Sequence, residues 1–302
     1  MLDWIEYAPV WLVVRTLGVL PRPLARGIGI SISHAVYRLH ARLRRVGQRN
    51  LELAFPDMTG AERDRILRGV FTTLGRQLAD FTHLPRLTKD NVSSLVIYKG
   101  LENYVAAQQL GKGVLFVTAH MGGWELGSYA HALYGHPIKI VVRGLDNQPL
   151  NRFVERWRTR SGNQTFDKDD FARGLISAMR AGETVGILMD TNMTPPQGVF
   201  VPFFGRQAYT ASGLARVALH TGAAVVPGFT IWDETQRKYV IHFDPALPLV
   251  RTGNDEADVV ANTAAFTAVI EKYVRQFPEQ WLWVHRRWKT RPPGEEPLYG
   301  SV

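Results

Sequence analysis

His120 and Glu125 bracket the stretch His120-Met121-Gly122-Gly123-Trp124-Glu125. Imidazole is the side chain whose ordinary titration falls near neutral pH. A carboxylate beside it can accept the Nδ1 proton, fix the tautomer and leave Nε2 free as a base. General-base action of this kind contributes typically ~10²–10⁴-fold. Positions five apart do not share a face of a continuous helix. The spacing therefore works only if His120 stands just before a helix and the turn folds it back toward Glu125. Gly122-Gly123 permits such a turn. The pattern is short, and a strand-end histidine followed by a first-turn acid that the helix dipole favours also fits it.

The elements that must position these groups are legible as alternating periods. Val114–Ala119, Ile138–Arg143 and Thr184–Asp190 are apolar runs of strand length, and helical segments near 123–134, 149–160 and 169–181 separate them. A helix over Thr210–Thr221, strands over Ala224–Trp232 and Lys238–Phe243, and a long amphipathic helix over 256–277 follow. This alternation predicts an α/β fold with a mixed, largely parallel sheet flanked by helices. Ligands of such sheets bind beyond the carboxyl ends of the strands. His120, Arg143 and Asp190 all fall there, delivering a base, a cation and a carboxylate to one edge.

Before the alternation lies a helical region, residues 1–90, ahead of an α/β domain over 91–302. Trp4 to Leu20 is largely apolar, but Asp3, Glu6 and Arg15 interrupt it and Pro9 sits inside. A spanning helix wants about 20 predominantly apolar residues. The basic run Arg38, His40, Arg42, Arg44, Arg45 and Arg49 comes next, and the order apolar-then-basic fits an interfacial helix pair docking on anionic lipid. A buried helix with a solvated basic face is the other reading. Thr59 and Glu62 form a capping box for a helix over 59–83.

The 302 residues contain no cysteine, which excludes disulfides, thiolate metal sites and a cysteine nucleophile. The formal net charge of +9 points to polyanionic partners. Neither zinc-finger spacing nor an RNA-binding aromatic signature is present, so nucleic acid is not the expected one. His131 and His136 match no usual metal-ligand spacing, and no metal is expected.

Taken in order, several segments resemble the bacterial lipid A biosynthesis acyltransferases, a family within the glycerolipid acyltransferase superfamily. They are Asn50 to Pro56, Thr118 to Glu125, Arg143 to Leu150, Asp190-Thr191-Asn192, Gly198 to Gly205 (Gly-Val-Phe-Val-Pro-Phe-Phe-Gly) and Pro278 to Lys289 (Pro-Glu-Gln-Trp-Leu-Trp-Val-His-Arg-Arg-Trp-Lys). The resemblance implies transfer of a fatty acyl chain from an acyl carrier protein or coenzyme A thioester to a lipid hydroxyl. The acceptor it implies is an anionic glycolipid, first a lipid A precursor, at the cytoplasmic face of the inner membrane. By analogy, His120 deprotonates the acceptor and Glu125 orients His120. No cofactor and no covalent acyl-enzyme are needed, in keeping with the missing Gly-x-Ser-x-Gly elbow.

Beside these, Arg143 would hold a substrate phosphate or the developing oxyanion. Asp190 could orient Arg143, bind the acceptor or cap the following loop, and Asn147 could position the Arg143 loop or simply form a turn. Val199, Phe200, Phe203 and Phe204 are assigned to the acyl channel, with core packing as the alternative. Arg286 and Arg287, among Trp281, Trp283 and Trp288, are assigned to phosphates at the membrane surface. A sibling activity on phosphatidylinositol mannoside, ornithine lipid or another membrane lipid, a non-catalytic lipid-binding protein and a serine-type lipid hydrolase are the competing readings.

Overall fold

The computed structural model describes residues 2–142, 144–167 and 171–300. Four helices come first: α1 (Leu2–Val19), α2 (Arg22–Leu39), α3 (Ala41–Ala54) and α4 (Gly60–Thr82). The Thr59–Glu62 capping box is present and starts α4. There follow β1 (Val96–Lys99), α5 (Leu101–Gln109), β2 (Val114–Thr118), α6 (Trp124–Leu133), β3 (Lys139–Val142) and α7 (Gln148–Thr159). Then come β4 (Gln164–Asp167), α8 (Phe171–Arg180), β5 (Thr184–Leu188), β6 (Gly198–Phe203), β7 (Arg206–Ala211) and α9 (Gly213–Thr221). The last regular elements are β8 (Ala224–Asp233), β9 (Lys238–Phe243) and α10 (Asp255–Gln276).

Seven strands form one sheet in the order β1-β9-β8-β2-β5-β3-β4, and β6–β7 is a separate hairpin. Every neighbour pair in the large sheet is parallel except β8 with β9. The central strands are apolar apart from a threonine at one end of each: Val114, Leu115 and Val117 of β2 and Val185 of β5 are fully buried. Strands covered on both faces need such continuous runs. The helix read over Thr210–Thr221 starts later, at Gly213. Thr210 belongs to β7, where its backbone pairs with Val199.

Helices α3 and α4 share the sheet's core. Leu51 and Leu53 of α3 and Leu67, Val70 and Phe71 of α4 lie in one apolar cluster with Leu115 and Val117. The α2 helix turns Ala25, Gly29, Ser33 and Tyr37 inward at helical spacing. Gly29 meets α4 backbone to backbone: a Cβ there would stand 2.5 Å from the Gly75 carbonyl oxygen. The opposite face of α2 carries Leu24, Ile28, Ile32, Val36 and Leu39, all exposed, and Trp4, Ile5, Trp11 and Leu12 of α1 are exposed as well. No described helix is long and apolar enough to cross a membrane.

Candidate active site

Strand β2 brings the chain up through the core, and His120 is the second residue beyond it. In the parallel register of β2 with β5, Thr118 lies opposite Leu188. Two residues further on, His120 and Asp190 leave the sheet side by side. Asp190 Oδ1 stands 2.8 Å from His120 Nδ1, and Asp190 Oδ2 accepts the backbone N–H of His120 at 2.9 Å. Trp281 Nε1 donates to the same Oδ2 at 2.7 Å. The carboxylate is buried, whereas a quarter of the His120 side chain is exposed. Nδ1 is therefore held from the protein side, and Nε2 is the ring nitrogen left for a substrate.

The turn after His120 is fixed by contacts that only glycine permits. Gly122 has φ +55°, and a Cβ there would lie 2.0 Å from the Thr230 carbonyl oxygen. Its N–H donates to the Gln280 carbonyl at 2.8 Å, and Gly123 N–H donates to Thr230 O at 2.9 Å. Leu282 N–H in turn donates to His120 O at 3.1 Å. The C-terminal segment 278–290 thus straps the turn down, and Trp124 covers the imidazole edge-on, centroids 5.3 Å apart.

The Nδ1 partner of His120 is Asp190, which corrects the assignment of that role to Glu125. Glu125 forms a fork with Arg158 of α7, Nε donating at 2.9 and 3.2 Å and Nη2 donating to Oε1. The side chains are 13% and 25% exposed, enough burial for the pair to be worth more than a surface ion pair. Both charges act on the imidazole, Glu125 favouring its protonation and Arg158 opposing it. In a double-mutant cycle of Glu125→Gln and Arg158→Met, urea unfolding should give a coupling of about 1–3 kcal/mol. Additive losses would show that the fork does not form.

Electrostatics set the two central groups in opposite directions. For Asp190 burial favours the neutral acid. The charge and hydrogen bond of His120 and the bond from Trp281 outweigh it, bringing the carboxyl down to about 2. For His120 burial opposes the cation, but the Asp190 carboxylate and its hydrogen bond prevail, and its pKa lies above its ordinary value.

The other assigned residues fall in different places. Arg143 lies outside the described residues. Asn147 caps α7, accepting from Leu150 N–H at 3.0 Å, and its amide donates to Asp3 O and Glu6 Oε2 of α1. It joins two helices, so its polar atoms are not offered to substrate. Arg287 is fully buried and cannot meet phosphates at a surface. Its guanidinium donates to Tyr209 O at 3.1 Å and Thr210 Oγ1 at 2.5 Å. Arg286 lies over the Tyr299 ring at 5.9 Å. Trp281, Trp283 and Trp288 are buried core residues rather than interfacial anchors.

Phe203 and Phe204 also belong to the core. Phe203 packs on Trp281 and Trp288, and Phe204 on Phe55 and Trp283. Val199 packs against the same cluster, and Phe200 lies on Tyr209. Beside His120, Val70, Thr73, Leu74, Trp124, Trp281 and Leu282 line a shallow crevice too tight to hold a water molecule. His131 is buried in an aromatic cluster, bonded through Nδ1 to Tyr98 Oη at 2.6 Å and stacked on His136.

Arg158 was not singled out from the sequence. The segment read as its helix contains Arg152, Arg156, Arg158 and Arg160, and nothing in the spacing says which of them faces His120. Stacking of Trp157 on Phe81 fixes the rotation of α7.

Residues 1–290 match the family model for bacterial lipid A biosynthesis acyltransferase. The chain is 32% identical over 301 residues to a lipid A biosynthesis lauroyltransferase of Escherichia coli (strain K12), covering 99% of this chain and 94% of that protein. It is 28% identical over 299 residues to a lipid A biosynthesis palmitoleoyltransferase of the same strain, with the same coverage. A lipid A biosynthesis myristoyltransferase of that strain is 26% identical over 258 residues, 85% of this chain and 79% of that protein.

Proposed function

Because the chain belongs to the bacterial lipid A biosynthesis acyltransferase family, we propose that it moves a fatty acyl chain from an acyl carrier protein thioester to a hydroxyl of a lipid A precursor, with His120 as general base. The observation that carries this reading is the His120–Asp190 pair at the sheet's carboxyl edge, beside an apolar crevice. His120 Nε2 takes the proton of the acceptor hydroxyl as its oxygen attacks the thioester carbonyl. Asp190, bonded to Nδ1, holds the tautomer that makes this possible and stabilises the imidazolium that results. The tetrahedral intermediate then collapses, the C–S bond breaks, and the imidazolium proton goes to the leaving thiolate. No acyl-enzyme forms.

Arg158 supplies positive charge next to the reacting centre, and Glu125 holds it in place. Its Nη1, which takes no part in the fork, is the donor for a substrate phosphate or the developing oxyanion. We place the first carbons of the acyl chain between α4 and the C-terminal strap, a contact that is closed in this structure and has to part to admit them. The exposed apolar stripe of α2, with Trp4 and Trp11 of α1, seats the protein on the membrane. Arg38, Arg42 and Arg45, exposed at the end of α2 and on α3, meet anionic headgroups or the acidic carrier. The helices lie in the interface plane under this reading.

The test is transfer by the purified protein from defined acyl-carrier-protein and acyl-coenzyme A thioesters. The acceptors, in vesicles, are a lipid A precursor, a phosphatidylinositol mannoside and an ornithine lipid, with products read by mass spectrometry. Acylation of the lipid A precursor from the carrier-protein thioester is the expected result. Transfer to none of the anionic glycolipids would sink the acceptor assignment, and equal use of both donors would sink the carrier protein.

A further inference from the structure

Arg287 is a cation in the wrong place for a surface role and the right place for an electrostatic one. It is fully buried, its hydrogen-bond partners are neutral oxygens, and no described carboxylate is in contact with it. Its Nε has no hydrogen-bond partner among the described residues. Burying an uncompensated charge is costly, so such a group persists where something nearby offsets it. A buried ion of opposite sign close to it is Asp190. The two are linked by two routes. Arg287 Nη1 reaches the carbonyl of Thr191, the residue after Asp190, at 3.5 Å. Its guanidinium lies over the Phe203 ring at 5.1 Å. Phe203 packs on Trp281, which donates to Asp190.

We propose that Arg287 is a positioning residue for the reaction: it clamps the Asp190 end of β5 to the β6–β7 hairpin and supplies the buried positive charge against which the His120–Asp190 pair is set. The attraction between Asp190 and Arg287 agrees, since it works against the burial that draws the guanidinium down to about 10. Other charged or titratable groups surround the pair. Glu125 stands on α6 and Arg158 on α7, while His285, Lys289 and Tyr299 come from the C-terminal segment. His285 is held neutral by burial, with its Nε2 accepting from Asn192 N–H. Arg287 is the fully buried cation of this set.

The inference rests on His120 as the base, and the experiment separates the two. The pH dependence of kcat is compared in the parent enzyme, Arg287→Met and Arg287→Lys. Without the cation, the carboxylate draws a proton to the imidazole more strongly. The acid limb should then move to higher pH by about half a pH unit or more in the Met variant. Lys keeps the charge and should leave the limb in place. A purely structural role lowers kcat at every pH with the limb unmoved, and that result overturns the proposal. A parent profile with no acid limb sinks the base assignment instead, and the proposal is then decided by folding. Urea unfolding of Arg287→Met, Asp190→Asn and the double variant should find the double more stable than Asp190→Asn alone. Additive losses, or failure of both Arg287→Met proteins to fold, overturn the proposal. Folding of the double where Arg287→Met alone fails supports it.

Discussion

Asp190→Asn should lower kcat by about 10³- to 10⁴-fold while leaving KM for both substrates nearly unchanged. Asp190 is buried and touches only protein: His120, its backbone N–H, and the Trp281 indole. An amide in its place can turn its NH₂ toward Nδ1. The imidazole then carries its proton on Nε2 and cannot accept another from the acceptor hydroxyl. Binding of the lipid and of the thioester does not pass through Asp190, so the loss falls on the chemical step. Steady-state kinetics beside a circular dichroism spectrum of the folded variant is the measurement. Activity within tenfold of the parent would mean that the His120–Asp190 bond is not part of the mechanism.

Replacing His120 itself should be at least as damaging. His120→Ala removes the base, and a loss of about 10²–10⁴-fold or more is expected. Glu125 cannot stand in, because its carboxylate is engaged by Arg158. The variant also tests the pH dependence. The base must be neutral to work, and the pull of Asp190 outweighs burial and raises its pKa above the ordinary value of 6.5. Parent activity should be full above that raised midpoint and fall as pH drops through it. In His120→Ala this limb should vanish, with residual turnover growing with hydroxide. An acid limb that survives the substitution at the same pH belongs to another group, and the assignment of His120 is then wrong.

The sequence was most informative where chemistry and backbone geometry coincide. An apolar strand, a histidine and a Gly-Gly turn placed His120 at a strand's carboxyl end, because Gly122 is the one residue type its φ and the Thr230 carbonyl allow. The identity of its partner was not legible in the same way. Glu125 is five residues away and Asp190 seventy, and only the adjacency of β2 and β5 brings Asp190 to Nδ1. Strand order depends on contacts across the whole chain, so local spacing favoured the nearer acid. The Trp281–Trp288 segment shows a second limit. Aromatic and basic residues interleaved in sequence describe a membrane rim and an aromatic core equally well, and here they are core. Arg287 went the same way, since its type says nothing about which side of the strap it faces.

Gly29 and Gly75 place α2 on α4 with no side chain between their backbones. Side chains elsewhere can change rotamer and absorb a displacement, but a backbone-on-backbone contact has no such slack. The outer face of α2 carries the stripe from Leu24 to Leu39, and α4 contributes Val70, Thr73 and Leu74 to the crevice at His120. The two helices therefore behave as a single lever. A displacement of the exposed apolar stripe is carried to the residues beside His120 without being absorbed on the way.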